Sequence, residues 1–220
     1  MKITRTLCAL KASSVLLVAG PAVAATAAPA PPPGAYVLDK AHSSVTFRLS
    51  HMGFSHYTSR FAAFDAKLKF DPAHPAAMAV NAVIDANSLA LNTPPAGFHE
   101  QLMGKEFFDA ARFPQITFKS TKVALTGAHT AKVTGDFTLH GVTKPVTLDV
   151  TYNGGYPPMA MDPSGARVGF SAHGTLKRSA FGMGYGVPAP GSTMGVGDDV
   201  EITIESEFSS KPAPPAPAAK

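Results

Sequence analysis

Apolar side chains in this chain recur at every second position. Val45, Phe47 and Leu49 share one parity while Ser44, Thr46, Arg48 and Ser50 take the other, as a strand with one face buried and one in water requires. The same alternation runs through Ile116 and Phe118; Val133, Phe137 and Leu139; Val146, Leu148 and Val150; Val168, Phe170 and Leu176; and Ile202, Ile204 and Phe208. Further strand-like runs cover residues 60–70 and 78–88. The result is about eight strands, with turns expected at Gly127-Ala128, at His140-Gly141 and around Asn153-Gly154-Gly155. One stretch departs from the pattern. From Thr93 to Gly104, a capping Thr, two prolines, an i,i+4 pair of Phe98 with Leu102 and a closing Gly predict a short helix. The fold class is therefore all-β, a mostly antiparallel sheet with one helical insertion. Closure into a barrel removes both sheet edges, and a sandwich is the alternative.

Low-complexity segments frame this pattern. Residues 25–34 and 209–220 are rich in Pro and Ala and read as extended linkers rather than core, which leaves residues 35–208 as the folded domain. Ahead of them, Lys2 and Arg5 precede an apolar run ending in Ala22-Val23-Ala24, the small-x-small pattern of a cleavable export signal spanning residues 1–24. Lys11 interrupts that run and leaves it short of a membrane-spanning helix. The single cysteine, Cys8, leaves with the signal, so the exported chain has neither a disulfide framework nor thiol chemistry. Removing Lys2, Arg5 and Lys11 also brings the basic and acidic residues close to balance, which gives no footprint for nucleic-acid binding.

Catalytic and metal-binding constellations find little support. The chain has eight histidines, but no HExxH, no His-x-His and no cysteine pair to organise them, so no metal site and no cofactor are expected. A Gly-x-Ser-x-Gly elbow is absent. Asp39 and His42 form one pair of a three-part machine, and a structural hydrogen bond fixing the first strand is the simpler reading. What remains is apolar. The inward parity gathers Phe47, Leu49, Phe118, Phe137, Leu139, Val146, Leu148, Phe170 and Ile204 on one interior. An eight-stranded barrel either fills such a space with its own side chains or holds one ligand in it. Composition alone favours the dry interior.

Four blocks of sequence carry a resemblance. They are Tyr36-Val37-Leu38-Asp39-x-x-His42-Ser43-x-Val45-x-Phe47; Lys105-Glu106-Phe107-Phe108-Asp109 with Phe113-Pro114-x-Ile116-x-Phe118; Gly135-x-Phe137-Thr138-Leu139-His140-Gly141-Val142-Thr143-Lys144-Pro145-Val146; and Lys177-Arg178-Ser179-x-Phe181-Gly182-Met183. Together, in this order, they resemble the YceI-like polyisoprenoid-binding family. The resemblance implies an extended, eight-stranded antiparallel barrel of lipocalin-like shape, with a long isoprenoid or similar amphiphile in an elongated apolar cavity. It also implies a periplasmic location and no catalytic residues. Tyr36 stands where the family often has Trp, and the 186–198 segment is long.

That resemblance turns the expectation from a dry barrel to a non-enzymatic carrier or store of an isoprenoid or quinone-like lipid. A dry stress-response or adhesion module, and a metal- or quinone-dependent enzyme, are the alternatives. Two barrels could pair along an exposed strand edge into a homodimer, and transient membrane contact would suit a lipid carrier. The glycine-rich segment 179–197 reads as a lid over one end of the cavity, with Phe181 and Met183 as its apolar surface and the Phe98 and Leu102 helix as a second cover. A permanent plug made by Phe181 and Met183 is the competing reading. Arg178 would read a polar head group at the mouth, or else pair with a neighbouring acid or cap backbone carbonyls.

Overall fold

The computed structural model describes residues 29–211; the expected export signal and the end of the C-terminal tail lie outside them. Eleven strands are present: β1 (Gly34–Leu38), β2 (Ser44–His51), β3 (Ser55–Phe61), β4 (Phe64–Phe70), β5 (Ala79–Asp85), β6 (Leu89–Ala90), β7 (Gln115–Leu125), β8 (Thr130–Leu139), β9 (Val142–Tyr156), β10 (Arg167–Lys177) and β11 (Asp199–Ser209). They form eight staves. β1 pairs with β4 and β2 with β3, while β5 pairs with β4 and β6 with β3. Each of β1/β2, β3/β4 and β5/β6 is thus one long strand broken midway. Two of the breaks have a local cause. Asp39 and Asp85 each accept a hydrogen bond from the backbone N–H two residues on, from Ala41 and Asn87, and turn the chain into short 3-10 segments at Lys40–His42 and Ala86–Ser88.

From β5 the antiparallel order continues through β7, β8, β9, β10 and β11. The ring then closes, because β11 pairs with β2 over residues 201–205 and with β1 at Val37↔Ser209 and Leu38↔Phe208. The fold is a closed, eight-stranded antiparallel barrel of lipocalin-like shape. Inward residues stack in register. Val45 faces Ile204, Ile204 faces Ala172, and Ala172 faces Val150 across three successive strand pairs. A bulge between Ser120 and Lys122 shifts the parity of β7, so that Ile116 and Phe118 before it and Val123 after it face the same interior.

Two local expectations are corrected. No turn forms at Asn153-Gly154-Gly155: β9 runs unbroken to Tyr156, and Arg167 of β10 lies opposite that end. Gly155 serves a close approach instead, since a Cβ there would lie 2.3 Å from the Arg167 carbonyl oxygen. The helix α1 covers only Phe98–Met103, capped by Gly97 in the left-handed region and not by Thr93. Thr93 itself has a positive φ of 46°, which takes it and the prolines out of the helix. By contrast, His140 (φ 52°) and Gly141 (φ 74°) make the tight two-residue turn between β8 and β9.

The insertion carrying α1 has a definite place. β7 pairs with β5 up to Asp85↔Gln115, and Ala86 N–H donates to the Pro114 carbonyl at 2.9 Å. Beyond that point β6 pairs only with β3, and the wall opens between β6 and β7. Residues 91–114 span the gap. Phe108 closes it from inside, meeting Phe61 edge-on with ring centroids 6.0 Å apart.

Candidate functional site

The barrel is not filled. A cavity of about 960 Å³ runs along its axis, at the upper end of the ~300–1,000 Å³ usual for ligand pockets. This overturns the dry interior that composition alone favours. At one end the wall is made by Leu49, His51, Tyr57, Phe98, Leu102, Tyr185 and Val196, and at the other by Pro72, Pro75, Met78, Leu125, His129 and Tyr152. We call the first the α1 end; the second lies where the described chain enters and leaves, since Gly34 pairs with Phe70 and Ser209 with Arg167.

Phe47, Leu49, Phe118, Phe137, Leu139, Val146, Leu148, Phe170 and Ile204 all lie in the cavity wall. Each sits on a strand at the inward parity, so period-two alternation places them there. The alternation misses several others. Phe61 and Phe108 form an aromatic run with Phe47, whose ring is 5.6 Å from that of Phe61. At the opposite end Phe70, Tyr152 and Phe170 pack mutually within 6.4 Å. Tyr152 is hidden by the turn expected just after it, although its parity matches Val146, Leu148 and Val150. Burial raises the Tyr152 hydroxyl above its ordinary pKa, so it stays a neutral donor at the cavity wall.

The structure separates the residues expected to form a cover. Phe98 and Leu102 of α1 and Met183 line the cavity. Phe181 does not: it ends a 3-10 turn at Arg178–Phe181, is 2 % exposed, and packs edge-on against Phe137 at 5.5 Å. His140 accounts for part of this placement, its Nδ1 lying 3.2 Å from the Phe181 carbonyl oxygen.

Arg178 also reaches the cavity wall, and its contacts are those of the carbonyl-capping alternative. Its guanidinium is buried and donates to four backbone carbonyls: Nε to Gly197 at 3.0 Å, Nη1 to Met183 at 2.7 Å and Tyr185 at 2.9 Å, and Nη2 to Val196 at 2.8 Å. Four of its five donors are committed to the glycine-rich loop. Burial draws its pKa down, and Asp198 acts in the opposite direction. The loop is further tied to the β2–β3 hairpin, with Met52 N–H donating to Gly195 at 2.8 Å and Gly197 N–H to Ser50 at 2.7 Å.

The Asp39–His42 pair is structural. His42 Nδ1 lies 3.0 Å from Asp39 Oδ2, and the same carboxylate pairs with Arg167. Arg167 also binds Asp162 at 2.6 Å and Glu207 at 3.1 Å, and the Tyr156 hydroxyl donates to Asp162 at 2.8 Å. Among the described residues, Asp39, His42 and Glu207 are the one group of three side chains close enough to share a cation. The Arg167 guanidinium already neutralises both of their carboxylates.

Comparisons with known proteins agree with this architecture. The model of the YceI-like domain matches residues 36–208. A UPF0312 protein of Pseudomonas syringae pv. tomato is 38% identical over 204 residues, covering 91% of this chain and 96% of its own length. A UPF0312 protein of Yersinia pestis is 39% identical over 184 residues, 82% of this chain and 88% of that protein. Among solved structures, Burkholderia cenocepacia BcnA superposes with a TM-score of 0.64 at 31% identity, covering 77% of this chain and 98% of that one. A polyisoprenoid binding domain from Saccharophagus degradans shares the fold at 16% identity and a TM-score of 0.55, covering 79% of this chain and 97% of that one. From Tyr36 to Phe208 the chain belongs to the YceI-like family, as a non-enzymatic barrel able to bind a hydrophobic ligand.

Proposed function

We propose that this protein is a periplasmic carrier or store of a long-chain isoprenoid or quinone-like lipid. The observation that carries the reading is the continuous apolar cavity along the barrel axis. Its volume, and a lining that reaches both ends of the barrel, suit a chain rather than a compact ligand. Burial is worth ~0.8 kcal/mol per methylene, hence roughly 4 kcal/mol for each five-carbon unit, against an association cost of ~4–15 kcal/mol. By that scale about four units offset the upper cost, and longer chains bind with a surplus. The polyisoprenoid binding domain of Saccharophagus degradans supports the class of cargo through its fold alone. Such a wall reads length and girth, with few polar groups to read a head.

In this reading the nine strand residues from Phe47 to Ile204 hold the chain, while Phe98, Leu102 and Met183 cover it at the α1 end. Arg178 and Phe181 hold the rim in place. Export by the N-terminal segment would bring the barrel to the periplasm.

Native mass spectrometry of the protein purified from a bacterial periplasm, followed by organic extraction, tests this directly. A stoichiometric isoprenoid or quinone in the extract is the expected result. A bare mass, unchanged after incubation with such lipids, would overturn it.

A further inference from the structure

At the α1 end the cavity opens beside an apolar surface free of Lys, Arg, Asp and Glu. Two segments build it, the tip of the β2–β3 hairpin and the loop following the Arg178–Phe181 turn. Neither residues 49–59 nor residues 179–197 contain a single Lys, Arg, Asp or Glu. They are nevertheless in water: Phe54 is 83 % exposed, Met194 64 % and Tyr185 53 %. These three are among the few large apolar side chains that the barrel leaves outside.

The lip is rigid. The Met52–Gly195 and Gly197–Ser50 hydrogen bonds join its two halves, and Arg178 holds four of its carbonyls from below. Charges at its base are matched in pairs, Arg48 with Glu201 at 2.7 Å and Lys177 with Asp199 at 2.8 Å. The cavity wall continues into it through Tyr185, whose ring meets Phe107 edge-on with centroids 5.2 Å apart. The opposite end also exposes apolar side chains, Leu125, Met159 and Met161, but there Leu125 lies on a strand carrying Lys119 and Lys122, and Met161 is followed at once by Asp162 and then by Arg167.

We propose that this lip seats on a lipid surface, with Phe54 and Met194 entering the boundary between head groups and acyl chains and Tyr185 at head-group level. The inference rests on the cavity being a lipid container. A charge-free lip avoids the desolvation that Lys, Arg, Asp or Glu would suffer there, and exposed aromatic and Met side chains gain by leaving water. Tyr suits the interface, where its ring is buried and its hydroxyl stays wet. Seating the mouth on the bilayer gives an apolar cargo a path that never crosses water. Because the lip has no formal charge, its attachment does not depend on anionic lipid or low salt.

The chain contains no Trp, so one introduced indole reports its own surroundings. Phe54→Trp is expected to shift its emission to the blue, and to be quenched by brominated acyl chains, when phosphatidylcholine vesicles are added at physiological salt. Leu125→Trp, at the other end, is expected to show neither. The double variant Phe54→Ser, Met194→Ser should partition onto the same vesicles about tenfold more weakly, with its thermal unfolding unchanged. An unshifted Phe54→Trp in protein that still carries lipid by mass spectrometry would sink the lip and leave the container standing. So would binding confined to anionic vesicles and lost in salt, or a blue shift produced by protein concentration alone, which would make the lip a contact between two copies. Vesicle binding by a barrel that never loads lipid would sink the container instead.

Discussion

Arg178 spends four donors on the carbonyls of Met183, Tyr185, Val196 and Gly197, and this single choice decides what the glycine-rich loop is. A guanidinium so committed cannot leave without unpairing four main-chain carbonyls, one bond buried and three partly so, where a buried acceptor left unpaired costs about 1–3 kcal/mol. Phe181, one turn of chain away, is buried against Phe137 and outside the cavity wall. These contacts favour a fixed rim over a mobile lid. Phe181→Ala should lower stability by about 3 kcal/mol, read as a fall in the unfolding midpoint, while leaving the rate of lipid exchange unchanged. Faster exchange in that variant would restore the lid. The sequence shows an arginine entering a run of glycines and cannot show where its donors go, because the acceptors are main-chain atoms up to nineteen residues away.

Between elements, the Arg167 cluster holds the far end together. It joins β1 through Asp39, β11 through Glu207 and the 157–166 connection through Asp162. Hydrogen bonds from Arg167, the Tyr156 hydroxyl and Ser164 N–H hold the Asp162 carboxyl well below the usual carboxylate range. Burial pulls Asp39 upward, but His42, Arg167 and Ala41 N–H outweigh it and its net shift is also downward. Depressed carboxylates bind fewer protons folded than unfolded, so their stabilisation is complete above the unfolded value of ~3.9 and is lost as the pH falls through the folded values. Asp162→Asn should therefore be less stable than the parent at pH 7 and show a shallower fall of unfolding temperature in acid below about pH 4. A parallel fall in both proteins would remove Asp162 from the account. None of this cluster was legible beyond the Asp39–His42 pair, since its members are 128 residues apart at the widest pairing. The staves were legible because each strand writes its own parity. Their breaks were not: the Asp39–His42 pair does not say that Asp39 also turns the backbone, and nothing in the sequence marks Asp85 as doing so. In the same way Asn153-Gly154-Gly155 carries turn residues that the sheet uses for close packing against Arg167, and Thr93 is a capping residue type in a chain whose helix starts only at Phe98, capped by Gly97.

For the whole molecule, the useful quantity is the space the barrel leaves empty. Ala172 faces it from the middle of β10, between Val150 and Ile204. A phenyl ring placed there would enter the cavity rather than a packed core, where overpacking costs ~1–3 kcal/mol. Ala172→Phe should thus keep the fold and its unfolding temperature while lowering the amount of lipid recovered per protein by native mass spectrometry. Full loading in a folded variant would move the cargo out of the barrel. Five staves of ten to fifteen residues are continuous and three are jointed at about the same level, so the wall has one seam.

The last strand completes the wall on both its edges, against β10 on one and against β2 and β1 in turn on the other. Val37 meets Ser209, so the ring cannot close until nearly all of the domain is available. A polypeptide appearing residue by residue from a ribosome, or threading through a narrow channel, can form hairpins such as β8–β9 along the way and pair β1 with β4 and β2 with β3, but the other edge of the β1/β2 stave has no partner until β11 emerges. Long-range pairing of this kind is slow and is settled after release. The native barrel is consequently a product of the compartment in which the finished chain is set free, and the lipid available at that moment is the first the new interior can enclose.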